Sequence, residues 1–450
     1  MTGQDTMNEF IDSESAVRVL QALNDGKLDY LFQTAHIDYS ERDGLAGTSL
    51  PLGLPREAVT HLISAVRRAQ GLTILAGAWG DYSAWVTISA DMVQLLHEID
   101  VRANFDFYSD SELPDDEVRA LQNQILIEEV LPLGLTFDEL SRENDLGLAH
   151  ARNAARRMLA EGTEPATEYE RWVLQFFGLM RRLPELAEEP LTIQRLQELH
   201  AMLALDKSLG GVFRTDDTVH DRGVFGLSAR DVGAPAERIM SEMSAIAAYG
   251  TGQQKPYVHP MIKTLVYFYW IRRIQPFQVA NALLARLVIH IFEYQQGYPT
   301  LPLTPLTRTA SSEWAVPPPD AEIPRFDATT FVIKRLRLFL NAYLEAEREL
   351  AGATRRYKAL CARFETLEVN HRQARILDEA LALPTTVFTI KRHARLRGLA
   401  YETARQDFMQ LVNAGYLELQ KRGRLFEFRL AQDAEKKLAK QLGQAGSYAR

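Results

Sequence analysis

One cysteine, Cys361, stands alone in 450 residues, so the chain can close no internal disulfide and build no cysteine-based metal cluster. The histidines are few and scattered. His200, His220, His259 and His290 fall on separate segments, and neither an HExxH pair nor paired carboxylates at catalytic spacing occurs. No metal site is read from this pattern. Long apolar runs are missing too: "TLVYFYWI" stops well short of the roughly twenty residues a membrane span needs. The opening "MTGQDTMNEFIDSES" is acidic and polar, without the basic start and apolar stretch of an export signal. These absences lead to the expectation of a cytoplasmic protein with no membrane contact. Positive charge is not in surplus either. The formal net charge of −8 excludes a general polyanion binder, so any anion-binding surface must be local.

What is present is the composition of a soluble globular chain, with 46% hydrophobic and 24% charged residues, too long for one ordinary core. Two to four domains are expected. "PREAVTHLISAVRRAQ" has helical spacing behind a proline, and "LTILAGAWGDYSAWVTIS" is rich in β-branched and aromatic residues around a Gly-Asp turn. "ADMVQLLHEI" reads as helix and "RANFDFY" as an alternating strand. A small α+β unit over about 55–110 follows, without a motif; a scaffold or partner-docking role suits it. From about 115 to 350 the spacing is helical, punctuated by Pro and Gly. One interruption, "GGVFRTDDTVHDRGVFGLS", predicts a β-hairpin among helices. A Pro-rich loop over 302–324 precedes a long charged helix from about 329 to 367.

The last eighty residues reverse the charge, with fifteen Lys/Arg against eight Asp/Glu from 371 to 450. Three helical stretches precede "YLELQKRGRLFEFRL", two alternating strands around a Lys-Arg-Gly-Arg turn. That order is the winged helix-turn-helix pattern.

The middle of the chain, about 130–350, resembles the Fic family, whose members typically transfer AMP from ATP to a protein hydroxyl. The resemblance rests on "LQELHAML", on "GGVFRT", and on "FYWIRRIQPFQVANALLARL", where the family carries HPFx(D/E)GNGRxxR. Pro276, Phe277, Asn281 and Arg286 match that motif. The family's histidine is Gln275, its acid Val279, its two glycines Ala280 and Ala282, and its first arginine Leu283.

Each replacement removes a function that the resemblance implies. Gln275 has no titratable group to act as general base. Val279 offers no oxygen to Mg²⁺. Ala280 and Ala282 put methyl groups where backbone N–H groups would approach phosphates at a helix N-terminus. Leu283 lacks a phosphate-pairing guanidinium. The stretch then reads either as an ordinary buried helix, with Pro276 in its first turn, or as a remodelled pocket floored by Asn281 and Arg286.

Many Fic proteins also carry an inhibitory helix with (S/T)xxxE(G/N). "RMLAEGTEP" supplies Glu161 and Gly162, with Arg157 where Ser or Thr is expected. The resemblance implies a fixed Glu161–Arg286 ion pair; a plain Gly C-cap is the alternative. Arg214 falls where the family has its target-docking flap. His200, in a helical apolar stripe, reads as a core or capping residue.

In the C-terminal module, Tyr401, Glu402, Arg405 and Gln406 are placed to meet base edges near the start of the recognition helix. Lys421, Arg422 and Arg424 at the wing tip, and Arg392, Arg395 and Arg397 on the preceding helix, would meet phosphates. Protein docking or dimerisation is the other use of such a module.

The expected fold is therefore mainly α: a Fic-like helical core with an inserted hairpin flap, a small N-terminal α+β unit and a C-terminal winged helix. Its boundaries are 1–115, 116–350, a helical linker 351–370, a winged helix 371–432 and a basic tail 433–450. The expected function is a catalytically inactive, DNA-associated regulator or scaffold. An atypical nucleotidyl- or phosphotransferase and a pure protein-interaction module are the alternatives. ATP and Mg²⁺ enter only with the first of these; otherwise no cofactor is called for. The partners considered are duplex DNA, a protein at the N-terminal unit, and a second copy of the chain.

Overall fold

The computed structural model describes residues 13–31, 49–51, 53–76, 83–104, 106–130, 153, 155–159, 162–219, 233–250, 257–299, 325–423 and 425–442. The chain is mainly helical. Helices α1 (Ser13–Asn24) and α2 (Arg56–Gln70) precede the strands β1 (Leu72–Ala76) and β2 (Ser83–Val86). Next come α3 (Ala90–Ala103), α4 (Asp115–Val130), α5 (Glu168–Met180), α6 (Ile193–Leu203) and α7 (Ile239–Gly250). The helices α8 (Pro260–Ile274) and α9 (Asn281–Gln295) follow, then β3 (Arg325–Asp327) and the long α10 (Thr329–Phe364). The C-terminal elements are α11 (His371–Ala382), β4 (Phe388–Thr389), α12 (Ile390–Arg397), α13 (Tyr401–Asn413), β5 (Leu417–Arg422), β6 (Leu425–Leu430) and α14 (Ala434–Gln441).

The chain divides into two compact units, each gathered from separate stretches. One comprises Met1–Asn104, Leu183–Leu301 and Ala310–Asn341; the other comprises Phe105–Arg182, Pro302–Thr309 and Ala342–Arg450.

In the first unit, α8 and α9 are buried on nearly every face. Their sequences are mostly apolar, with apolar residues on every face, which suits a helix only when neighbours cover it. His259 caps α8, its Nδ1 accepting from the Met261 N–H at 3.2 Å. The strands β1 and β2 pair antiparallel, with an irregularity between Thr73 and Leu75. β3 joins β2 in parallel, Ala84 opposite Phe326. Asp327 fixes that distant strand. Its carboxylate accepts from Arg67 Nε and Nη2 at 2.8 and 2.6 Å, with both side chains at 5% exposure or less, and from the Thr329 N–H at 2.9 Å.

The strand expected over "RANFDFY" does not form. α3 runs on to Ala103, and 107–110 is a turn. The cause is Asp106, whose carboxylate accepts from the backbone N–H groups of Tyr108 and Ser109 and from the Ser109 hydroxyl. A local side-chain turn of this kind competes with a strand ladder. Tyr108, Leu121 and Ile125 pack together within the second unit.

The second unit ends in four helices, α11 to α14, and a three-stranded antiparallel sheet of order β4-β6-β5. Its core joins Phe364, Leu377, Ile390, Leu411 and Leu417 around Phe408, whose ring stacks on Phe428 at 4.5 Å between centroids. Asn370 and Gln373 form a reciprocal capping box on α11. Gly398, in the left-handed conformation at φ 61°, ends α12 and permits the short turn into α13.

Candidate functional site

The motif loop connects α8 to α9 between two left-handed residues, Gln275 at φ 48° and Ala280 at φ 61°. Among the described residues these are the non-glycine positions with positive φ. At Ala280 the backbone takes the left-handed conformation that favours glycine. A Cβ in that conformation costs about 1–2 kcal/mol.

Three side chains hold the loop shut. Asn281 is fully buried; its Oδ1 accepts from the Phe277 N–H at 3.0 Å and its Nδ2 donates to the Phe277 carbonyl at 2.8 Å. Both faces of that amide are thus used on the loop itself. His200, also fully buried, stacks on Phe277 with ring centroids 3.6 Å apart and an interplanar angle of 3°. Its Nδ1 accepts from the Gly211 N–H at 2.9 Å, which leaves Nε2 to carry the proton and donate to the Val279 carbonyl at 2.9 Å. Burial pushes the imidazole pKa down to about 4, partly offset by the Val279 carbonyl, so this ring is neutral at pH 7.

Arg214 is the third. The resemblance puts it at a target-docking flap, with a solvated hairpin as the alternative, but it is buried at 4% exposure against the loop. Its guanidinium donates to the carbonyls of Gln275 at 2.6 Å, Ile274 at 3.2 Å and Asp216 at 2.8 Å, and also to that of Ala234. A delocalised cation with five donors satisfies the orphan carbonyls at the end of α8, where a helix presents partial negative charge. The expected hairpin around Arg214 shows no strand over 212–219, and 220–232 lies outside the described residues.

Gln275 stands where the family's histidine would be. It is fully buried, and neither Oε1 nor Nε2 of its amide has a partner among the described residues. Leu283 and Ala282 are buried as well. Arg286 is buried at 3% exposure within α9 and is engaged in interactions there. Glu161, its expected partner, lies outside the described residues. Gly162 is left-handed at φ 68°, and its N–H donates to the Met158 carbonyl at 3.0 Å, the geometry of a helix C-cap. Among the described residues no three His, Cys, Asp or Glu side chains come together as a metal site.

The C-terminal module presents a different surface. From within, Asp407 of α13 is buried and paired with Arg372 at 2.7 and 3.1 Å, while Asn370 Nδ2 donates to it at 2.9 Å. That pins one face of α13. On the other, Tyr401, Glu402, Arg405 and Gln406 are exposed, with Arg405 Nη1 bound to Glu402 at 2.8 Å. Lys421 and Arg422 are exposed near the end of β5, and Arg424 lies outside the described residues. Arg392 is half-buried and Arg395 is exposed.

Arg397 does not join them. It is an 11%-exposed side chain bound to Glu117 at 2.8 Å and Asp116 at 3.4 Å, both from α4. Asp116 also accepts from His371 at 2.8 Å, and Glu117 from Arg375 at 3.1 Å. Burial would raise the Asp116 carboxyl, but His371, Arg397 and Arg372 together hold it below its ordinary value. This polar clamp fastens α11 and α12 to α4. "DDEV" looks in the sequence like any acidic helix start, and only the fold brings it against Arg375, Arg397 and His371.

No family model matches the sequence, and no curated protein matches it. Among solved structures, the chain is similar to a Fic family protein from Desulfovibrio desulfuricans, with 16% identity and a TM-score of 0.45, over 77% of this chain and 97% of that one. It is similar to Fic-1 from C. elegans with 17% identity and a TM-score of 0.41, over 67% and 76% of the two chains. A Fic domain containing signaling protein from Bacteroides thetaiotaomicron is similar with 14% identity and a TM-score of 0.35, over 59% of this chain and 97% of that one.

Proposed function

We propose that the chain is a Fic-like pseudoenzyme whose motif loop has become a structural joint, and that its C-terminal module is a winged helix that binds duplex DNA. The observation carrying the DNA reading is the orientation of α13. Asp407 is anchored inward on Arg372, so Tyr401, Glu402, Arg405 and Gln406 are left outward, on the same module as the exposed Lys421 and Arg422. A recognition helix reads base edges from its N-terminal residues, while a basic wing meets phosphates. The Arg405–Glu402 pair is surface-exposed and worth little in water, so a base edge or phosphate can replace it.

Loss of the family's chemistry is supported by how the loop spends its polar groups. Asn281 is closed on Phe277, His200 is neutral and bonded to backbone on both nitrogens, and Gln275 cannot accept a proton from a hydroxyl.

The deciding experiment is a titration of random-sequence duplex DNA with the full chain at several salt concentrations. Binding should weaken steeply as salt rises, because basic side chains release condensed counterions. Lys421→Ala with Arg422→Ala should weaken binding to every sequence and flatten the salt slope. No measurable binding at about 50 mM salt, where electrostatic contacts are strong, would make the module a protein-docking element. For the catalytic half, incubation with labelled ATP and Mg²⁺ should transfer no adenylyl group to the protein or to a lysate.

A further inference from the structure

Within the second unit lies a cavity of about 860 Å³ that no motif-loop residue lines and that borders the start of α13 at Tyr401. One wall is the segment Gly162–Pro165 with the C-terminal end of α5; the other is α12, the Gly398 turn and the first residue of α13. Four cations line it: Arg181 and Arg182 from beyond α5, and Lys391 and Arg395 from α12. Among the described lining residues they face one carboxylate, Glu164. Lys391 and Arg395 are exposed to solvent and have no acidic partner among the described residues. This contrasts with Arg372, Arg375 and Arg397 nearby, each bound to a buried carboxylate.

The Arg395 guanidinium lies close to Gly162, on the opposite wall: a Cβ there would fall 1.3 Å from Nη1. Behind the cations the wall is apolar, with Phe177, Leu174 and Ala394, and Tyr401 contributes an aromatic ring that is 53% exposed. The helix α13 starts beside this ring without a side-chain cap, so its first N–H groups are not occupied by a capping side chain.

We infer that this cavity binds a small phosphorylated organic molecule of about nucleotide size. The volume is that of small-molecule pockets, roughly 300–1,000 Å³, and a concave site of that size takes a small ligand and not a duplex. Arginine forks and a lysine recognise phosphate oxygens, and an unoccupied helix start adds N–H donors. An aromatic ring over an apolar wall accommodates a flat organic group. The cavity shares Tyr401 with the outward face of α13, whereas Arg181, Arg182 and Lys391 belong neither to that face nor to the wing.

Isothermal titration of the full chain with two Mg²⁺-free probes, inorganic tripolyphosphate and ATP, tests it. Both should bind, ATP more tightly. Arg395→Ala and Lys391→Ala should each weaken both probes by about tenfold. Tyr401→Ala should weaken ATP alone. Lys436→Ala, an exposed lysine on α14, should leave both unchanged and serves as the control for diffuse charge. Thermal melting establishes that each variant is folded. Absence of binding by either probe at about 1 mM, a very weak affinity, would overturn the site. Equal losses in Lys436→Ala would also overturn it, by showing general electrostatic attraction. Binding of ATP unaffected by Arg395→Ala and Lys391→Ala would place the nucleotide elsewhere, with the same consequence.

Discussion

The imidazole of His200 lies flat on the ring of Phe277, centroids 3.6 Å apart, and bridges two backbone segments through its nitrogens. This arrangement requires a neutral ring, because Nδ1 must keep a lone pair for the Gly211 N–H. The folded pKa is about 4 against 6.5 for a free histidine. The unfolded chain therefore binds the proton first as pH falls. Stability should be constant with respect to this group above pH 6.5 and should drop between 6.5 and 4, by at most about 3 kcal/mol. Urea unfolding at pH 7.5 and at pH 4.5 measures the drop. In His200→Gln the chain should be less stable at pH 7.5 and should show a shallower loss toward acid.

Glycine should suit position 280 better than Ala280 does. Its φ of 61° is left-handed, so Ala280→Gly should raise stability by about 0.5–1 kcal/mol, after the entropy cost of glycine in the unfolded chain is subtracted. Ala282→Gly, at the second residue of α9 and in helical conformation, should lower it by roughly 0.5–1 kcal/mol. Opposite signs of ΔTm for these neighbouring substitutions are the expected result. Two losses would show that the methyl of Ala280 is worth more in packing than its backbone costs.

Gln275 carries two buried amide atoms without a partner among the described residues. Gln275→Met keeps the length and removes the polar atoms, so it should be neutral or stabilising by about 1 kcal/mol. A loss above that size in thermal unfolding would reveal a partner for the amide. Gln275→His should restore no adenylyl transfer. A base alone does not replace the missing metal ligand at Val279 and the missing guanidinium at Leu283, which would supply the electrostatic stabilisation.

The Arg67–Asp327 pair ties α2 to a strand 260 residues away, with both partners buried. Removing one partner leaves the other charged and dry, so Arg67→Met should cost about 3–5 kcal/mol. The double variant Arg67→Met with Asp327→Leu should recover part of that. Equal stability of single and double variants would mean that the lost hydrogen bonds of Asp327, not its charge, dominate.

Arg397 and Arg405 should separate structure from recognition. Arg397→Ala exposes Asp116 and Glu117 to mutual repulsion and should lower the melting temperature. Arg405→Ala, on the exposed face of α13, should leave melting unchanged and relax preference among DNA sequences. A melting loss in Arg405→Ala would assign that side chain to the scaffold.

Much of the helical architecture was legible because its cause is periodic. Apolar spacing marks α6, α7 and α8, proline starts α8, and Gly398 ends α12, all by local rules that need no neighbour. The residue types of the loop between α8 and α9 were legible as well, since the lack of a titratable base at Gln275 and of an oxygen ligand at Val279 is a property of the residue itself. Tertiary structure decided the rest, because it depends on partners distant in the chain. "RANFDFY" alternates like a strand, but Asp106 closes a turn and Tyr108 finds its cover on Leu121 and Ile125. Arg214 looks like a solvent-facing charge until the carbonyls at the end of α8 surround it. Arg392, Arg395 and Arg397 are alike on one helical stretch, yet only Arg397 meets the carboxylates of α4, some 280 residues earlier. Charge and spacing specify which side chains can bind an anion; the neighbours that folding supplies determine which of them are already bound.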